Sequence, residues 1–161
     1  LTAWRMIVAR ARVQPGEDVL IWGLGGGVAI AARQIGKQIG ARVWVVSSSD
    51  EKLRRAAELG ADEGLNRTSV DVSRTIRQRT NKRGVDVVID NVGKETWAQS
   101  LLALGRRGRL VTCGATTGPL VETALPCTLM SIEPSAPLVI KALAAPLIAI
   151  AVAVTPSKIW A

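Results

Sequence analysis

Val19-Leu20-Ile21-Trp22-Gly23-Leu24-Gly25-Gly26-Gly27-Val28-Ala29 is the stretch on which the fold turns. Its first four residues form a short, wholly apolar run of the kind found in a parallel strand covered on both faces. The glycine cluster follows, and Val28 to Ile39 then reads as a helix closed by Gly40. Between a buried strand and a helix the chain must turn sharply and aim the first helical amides at a ligand. Each glycine removes a side chain that would block one of those steps. Gly23 is read as the tight turn. Gly26, with Gly27 and Val28, is the point where a pyrophosphate can approach the backbone, because a helix N-terminus offers free N–H groups and partial positive charge. Ala29 is small enough for the helix to pack closely on the strand. The spacing is G-x-x-G-x-x-A instead of G-x-G-x-x-G, and a plain glycine-rich turn is the alternative reading.

The elements on either side support a βαβ setting. Thr2 to Val13 has apolar positions at Trp4, Ile7, Val8 and Ala11, an approximately helical spacing ended by the turn Gln14-Pro15-Gly16-Glu17. A second strand is expected over Arg42 to Ser47. Ser48 and Glu51 form an S-x-x-E capping box that opens a helix from about Ser49 to Leu59, stopped by Gly60. A short strand over Glu63 to Asn66 and a helix over Val70 to Arg79 follow. Val85 to Asp90 reads as a strand, Glu95 to Leu104 as a helix and Arg109 to Cys113 as a fifth strand ending at Gly114. Strands alternating with helices predict right-handed crossovers and an α/β fold, a Rossmann-like doubly wound parallel sheet with helices on both faces.

Composition narrows the chemistry. The chain has 161 residues, 48% hydrophobic and 21% charged, with no His, no Tyr and two Cys, Cys113 and Cys127. A Ser-His-Asp triad, a Cys-His dyad, a His-ligated zinc, a four-Cys zinc and a Tyr general acid are therefore all excluded. Such a chain binds a reagent more readily than it supplies an acid or base. All but two of the 21 Lys and Arg and all but two of the 13 Asp and Glu lie within residues 1–120, so the net charge of +8 resides there. An anionic partner fits this balance, and no aromatic residue is interleaved with the basic clusters as a nucleic-acid stacking platform would require. Arg74, Arg77, Arg79, Lys82 and Arg83 read as a solvated helix face and its turn. Asp86 and Asp90 share a strand face, where a paired-carboxylate site is one reading and two unconnected strand residues the favoured one. Cys113 and the Trp residues read as core. Two separate Cys and the absence of a signal-like start favour a reducing, cytoplasmic setting, and the initial Leu suggests a piece of something longer.

Residues 121–161 break the rhythm, carrying five of the seven Pro and a run, Leu138 to Val154, made almost entirely of Ala, Leu, Ile and Val. A boundary is expected at 120. The first part, 1–120, is the dinucleotide-binding unit. The second, 121–161, is an atypical apolar, Pro-rich tail: a packing arm, the product of a shifted frame or truncation, or, less favoured, a membrane span, which needs about 20 apolar residues.

Taken in order, the blocks Thr2-Ala3-Trp4-Arg5-Met6, Gln14-Pro15-Gly16-Glu17, Gly23 to Val28, Asp50-Glu51-Lys52-Leu53, Glu58-Leu59-Gly60-Ala61-Asp62, Arg83 to Val88 and Gly108 to Gly114 resemble the cofactor domain of the medium-chain dehydrogenase/reductases, which include zinc-type alcohol dehydrogenases and quinone oxidoreductases. The resemblance covers about residues 1–119 and lies closest to the quinone-reductase branch. It implies a nicotinamide dinucleotide as cofactor and hydride transfer to or from a quinone, enone, alcohol or carbonyl substrate. Asn91, Val92 and Gly114 would border the nicotinamide ribose. The family's N-terminal GroES-like domain, which holds any catalytic zinc and most substrate contacts, is not in this sequence, so no zinc is expected in this chain. The sixth strand that often joins a dimer interface is not evident in the tail, leaving an edge that invites association into a homo-oligomer unless the tail covers it.

The choice of dinucleotide is read from the end of the second strand. Selection for NADH usually places an Asp or Glu there, whereas this strand ends in Ser47-Ser48-Ser49. Ser48 and Lys52 match positions that contact the 2′-phosphate in NADPH-dependent quinone reductases, and Arg67 lies where its guanidinium could pair with that phosphate or cover the adenine. NADPH is expected over NADH. The competing reading is a non-catalytic nucleotide-sensing or interaction module.

Overall fold

The computed structural model describes residues 1–114 and 116–118, together with the backbone of Met130–Ile132 and Ala149–Val152. The elements in chain order are α1 (Thr2–Trp4), continued by a π-helical segment Arg5–Arg10, β1 (Asp18–Ile21), α2 (Gly27–Ile39), β2 (Arg42–Ser47), α3 (Asp50–Glu58) and β3 (Glu63–Asn66). They continue with α4 (Val72–Arg79), β4 (Val85–Asp90), α5 (Lys94–Ala103), β5 (Leu104–Thr112), β6 (Met130–Ile132) and β7 (Ala149–Val152). Every strand pairing is parallel, in the order β3-β2-β1-β4-β5-β7-β6. The expected doubly wound α/β sheet is therefore the fold. Winding runs outward from β1 through β2 to β3, then restarts beside β1 with β4 and proceeds the other way. At that switch a crevice opens beyond the carboxyl ends of β1 and β4.

Strand alternation explains why the apolar runs are unbroken. Leu20, Trp44, Val46 and Val88 face one side, where they pack with Leu65, Ile76, Trp97 and Leu101. Val19, Ile21, Val43, Val45, Val87 and Ile89 face the other, against Ile7, Ala29 and Ala32. Both faces are covered, so neither alternate set can be polar. Ala29 is 1% exposed, the close helix-to-sheet approach read from its size.

At the opposite end of the strands from the crevice, polar groups tie the sheet together. Asp18 accepts from the Trp44 indole N–H at 2.6 Å and from the Arg83 guanidinium. Arg83 also pairs with Asp86, which in turn accepts from the Asp18 N–H at 2.8 Å. The charges of Asp86, by hydrogen bond and then by field, and of Asp18 hold the Arg83 pKa above its ordinary value, against the effect of burial. Asp86 and Asp90 thus serve different partners. The basic run is also more engaged than a solvated face. Arg77 donates to the carbonyls of Leu102, Lys82 and Leu104, and Arg79 pairs with Glu63.

Three further expectations are revised. The cap of α3 is Ser49, whose Oγ accepts from the Lys52 N–H at 3.4 Å, and not a box of Ser48 with Glu51. β5 begins at Leu104, five residues early: Leu104 pairs with Val85, residues 105–108 leave the ladder, and Arg109 resumes opposite Val87. Trp4 is 55% exposed, while Trp22, Trp44 and Trp97 are core. In the tail, β7 pairs along β5, with Arg109 opposite Ala149 and Leu110 opposite Ile150, and β6 pairs with β7. The edge of β5 is therefore paired by the chain's own backbone. The remaining expectations for residues 121–161, including Cys127 and most of the run 138–154, lie outside the described residues. Among the described residues no helix is long and apolar enough to cross a membrane.

Candidate dinucleotide-binding site

β1 delivers the chain into the crevice at Gly23, whose φ of +74° is unfavourable for any side chain. A Cβ there would lie 2.6 Å from Asn91 Oδ1, so glycine is needed for space as well as for conformation. The Gly26 N–H then closes a turn onto the Gly23 carbonyl at 3.0 Å. Gly26 is the N-cap of α2 and offers no side-chain cap. The amides of Gly27 and Val28, in the first helical turn, have no intrahelical acceptor and are available to an anion.

The opposite wall is organised by Asp90 at the end of β4. Its carboxylate is fully buried and accepts from the N–H groups of Val92 and Gly93 at 2.8 and 3.1 Å, from Thr96 Oγ1 at 2.7 Å and from Ser100 Oγ at 2.8 Å. These bonds shape the turn that presents Asn91 and Val92. Thr116 Oγ1 donates to the Asn91 carbonyl at 2.9 Å and Thr117 Oγ1 to the Val92 carbonyl at 2.8 Å, so the chain beyond β5 clamps the same turn. Gly114 lies beside it, its absent Cβ 3.9 Å from the Asn91 carbonyl. Burial, and then the Asp90 charge, push the Cys113 thiol above its ordinary pKa, keeping it protonated and poorly nucleophilic.

Between these walls lies a groove of about 270 Å³ lined by Trp22, Gly23, Leu24, Gly25, Val46, Ser47, Ser48, Lys52, Arg67, Val92 and Thr96. Of the residues singled out by sequence, Gly23, Ser48, Lys52, Arg67 and Val92 line it together. Gly26, Gly27, Val28, Asn91 and Gly114 belong to the adjoining glycine loop, the start of α2 and the turn that follows β4. Lys52 reaches across from α3, its Nζ lying 3.3 Å from where a Cβ on Gly25 would be. Arg67, after β3, pairs with Glu95 at 3.3 Å.

The sequence and structural comparisons agree. Residues 27–139 match the family described as zinc-binding dehydrogenase. The chain belongs to that family. It is 35% identical over 138 residues to a zinc-type alcohol dehydrogenase-like protein of Leptosphaeria maculans, covering 83% of this chain and 38% of that protein. It is 34% identical over 125 residues to a quinone oxidoreductase of Salmonella typhimurium, covering 78% and 38%. A mycobacterial protein whose structure was solved in complex with NADPH superimposes with a TM-score of 0.69 at 32% identity, covering 73% and 37%. The chain thus spans little more than a third of the length of these relatives. The family match runs past residue 120, where composition suggested a boundary.

The chain's own atoms show whether a dinucleotide fits the groove. The glycine loop is a cradle from which side chains are absent. Two buried polar atoms beside the groove, Trp22 Nε1 and Asn91 Oδ1, have no hydrogen-bond partner. Buried donors and acceptors are rarely left so, and a ligand rich in hydroxyls, ring nitrogens and phosphates can satisfy them directly or through water. The residues fit. Trp22, Thr96 and Glu95 were missed by sequence reasoning. Trp22 carried a signal in its place immediately before Gly23, whereas Thr96 and Glu95 carried none, since only the docking of α5 brings Thr96 to the groove and Glu95 to Arg67. Among the described residues, no three His, Cys, Asp or Glu come together as a metal site.

Proposed function

We propose that this chain is the cofactor-binding part of an NAD(P)-dependent oxidoreductase of the quinone-reductase branch, working in a reducing cytoplasmic setting, and that it prefers NADPH. The dinucleotide-binding unit is read over residues 1–120, followed by an apolar segment, 121–161, whose β7 extends the sheet. The observation carrying the reading is the composition of the groove at the end of β2. Ser47, Ser48, Lys52 and Arg67 line it, and no Asp or Glu stands at the strand end, where a carboxylate would hold a ribose 2′-OH and repel a 2′-phosphate. Lys52 makes no ion pair among the described residues, leaving its ammonium free for a phosphate.

When bound, the dinucleotide supplies or accepts the hydride. The chain's residues hold and orient it. Gly26, Gly27 and Val28 take the pyrophosphate on the α2 N-terminus. Ser48, Lys52 and Arg67 take the 2′-phosphate, and Asn91, Val92 and Gly114 border the nicotinamide ribose. No described side chain acts as proton donor, and Cys113 stays a thiol. The substrate, a quinone, enone, alcohol or carbonyl compound, would be held against the nicotinamide by parts of the parent enzyme outside this span.

Calorimetry of the full 161-residue chain with NADPH and NADH tests the reading. NADPH should bind more tightly, and Lys52→Ala should weaken it by about 1 to 3 kcal/mol, the scale of a charge-assisted hydrogen bond, with NADH nearly unchanged. Equal affinities for the two cofactors, or equal losses on that substitution, would refute the preference. Robust turnover of quinones, enals or alcohols by this chain alone would refute its role as a binding part only.

A further inference from the structure

The two cations at the groove mouth are in different electrostatic states. Among the described residues Lys52 makes no ion pair, and its ammonium lies over Gly25. Arg67 donates from Nη1 to Glu95 Oε2 at 3.3 Å, a single contact between side chains that are 44% and 56% exposed. Glu95 stands in the first turn of α5, where the helix dipole favours its charge. Its backbone N–H donates to Thr117 Oγ1 at 3.2 Å, and the next residue, Thr96, lines the groove. The carboxylate is therefore fixed at its root on the rim.

We infer that Glu95 is a specificity-determining residue: its carboxylate competes with a ligand's ribose 2′-phosphate for Arg67, and so narrows the discrimination between 2′-phosphorylated and 2′-hydroxyl dinucleotides. The inference rests on the reading of the Ser48, Lys52 and Arg67 rim as a 2′-phosphate site. Competition outweighs preorganisation for a physical reason. An exposed, single-contact ion pair between two long side chains is too weak to fix the Arg67 rotamer. A phosphate brought to Arg67, by contrast, carries between one and two negative charges and needs the guanidinium donor that the Glu95 carboxylate occupies, so it must displace that carboxylate or share the cation with it. A 2′-hydroxyl carries no charge and enters no such contest.

The test compares NADPH with NADH, and adenosine 2′,5′-bisphosphate with 5′-AMP, by calorimetry on the full chain carrying Glu95→Gln, Arg67→Ala, both, or Lys52→Ala. Glu95→Gln should tighten both 2′-phosphorylated probes by about 3- to 10-fold and move NADH and 5′-AMP by less than about 2-fold. The gain should shrink at high salt and disappear in the Arg67→Ala background. A wild-type chain that prefers NADPH and loses the preference with Lys52→Ala, while Glu95→Gln leaves NADPH unchanged or weaker, overturns this inference alone. A full gain that persists without Arg67 also overturns it, since the carboxylate would then act on the phosphate directly. Equal wild-type affinities for NADPH and NADH overturn the underlying reading, and this inference with it. Circular-dichroism melts separate loss of fold from loss of binding, and Glu95→Ala provides the same readout should the Gln variant be unstable.

Discussion

Gly23 is where conformation and space coincide. Substituting Ala forces a side chain into a left-handed φ, at a cost of about 1 to 2 kcal/mol, and drives a methyl into the Asn91 amide. Gly23→Ala should therefore lower stability in urea titration by at least that amount and weaken dinucleotide binding further, because Asn91 must leave its place. Gly27, where a Cβ would have nothing within 4 Å, is the contrasting position: Gly27→Ala should leave unfolding nearly unaltered in the same titration. Asp90 belongs to this scale too. Asp90→Ala strands two backbone amides and the Ser100 hydroxyl and leaves the Thr96 hydroxyl only the Gly93 carbonyl, and a loss of about 3 to 5 kcal/mol is expected, the scale of a broken buried polar network. A stability change under about 1 kcal/mol would show that water replaces the carboxylate without cost.

Among the elements, the caps and ion pairs carry the acid sensitivity. Asp71 caps α4: the Arg74 N–H and then the Ser73 hydroxyl lower its pKa. For Asp62 burial pulls upward, but the Lys37 ammonium and the Val43 N–H outweigh it, so its pKa is also lowered. Depressed carboxylates contribute stability that is full above their unfolded pKa and is lost as pH falls through the lower folded value. Thermal melts should therefore be flat from neutrality down to the ordinary carboxylate range and fall steeply below it. Asp71→Ala should cost about 1 kcal/mol at neutral pH and shallow that acid slope. The elements were legible in sequence where one signal dominated, as with the apolar run of β1, the Val-rich β2 and the Gly40 end of α2. They were not where two signals competed. Ser48 and Ser49 are adjacent candidate caps, and only backbone geometry decides that Ser49 reaches the Lys52 amide. Leu104 reads as the last residue of the preceding helix and Arg109 as the first of the strand, so the early start of β5 was hidden. Gly84 permits it at φ +82°, a Cβ there falling 2.6 Å from the Ala103 carbonyl and the Gly105 nitrogen. The glycine wall of the groove was readable because its residues are contiguous. The α5 wall was not, because Thr96 and Glu95 reach it only through tertiary packing.

In the molecule as a whole, β7 pairs along β5. Deleting residues 121–161 would expose a row of unpaired backbone groups on that edge, and self-association is expected in sedimentation experiments. A truncated chain that stays monomeric and more soluble would show that the edge needs no cover. The two walls of the groove differ in another respect. The amides of Val92 and Gly93 end on a buried carboxylate, and the carbonyls of Asn91 and Val92 are held by Thr116 and Thr117. The glycine loop facing them has the short bond from Gly26 to Gly23 and little side-chain mass. Deuterium should therefore enter the amides of Leu24, Gly25 and Gly27 long before those of Val92 and Gly93, although both segments lie at the mouth of the same crevice. On this account one bank is an anvil and the other yields: a ligand arriving between them would meet a fixed surface on the Val92 side and an adaptable one on the glycine side.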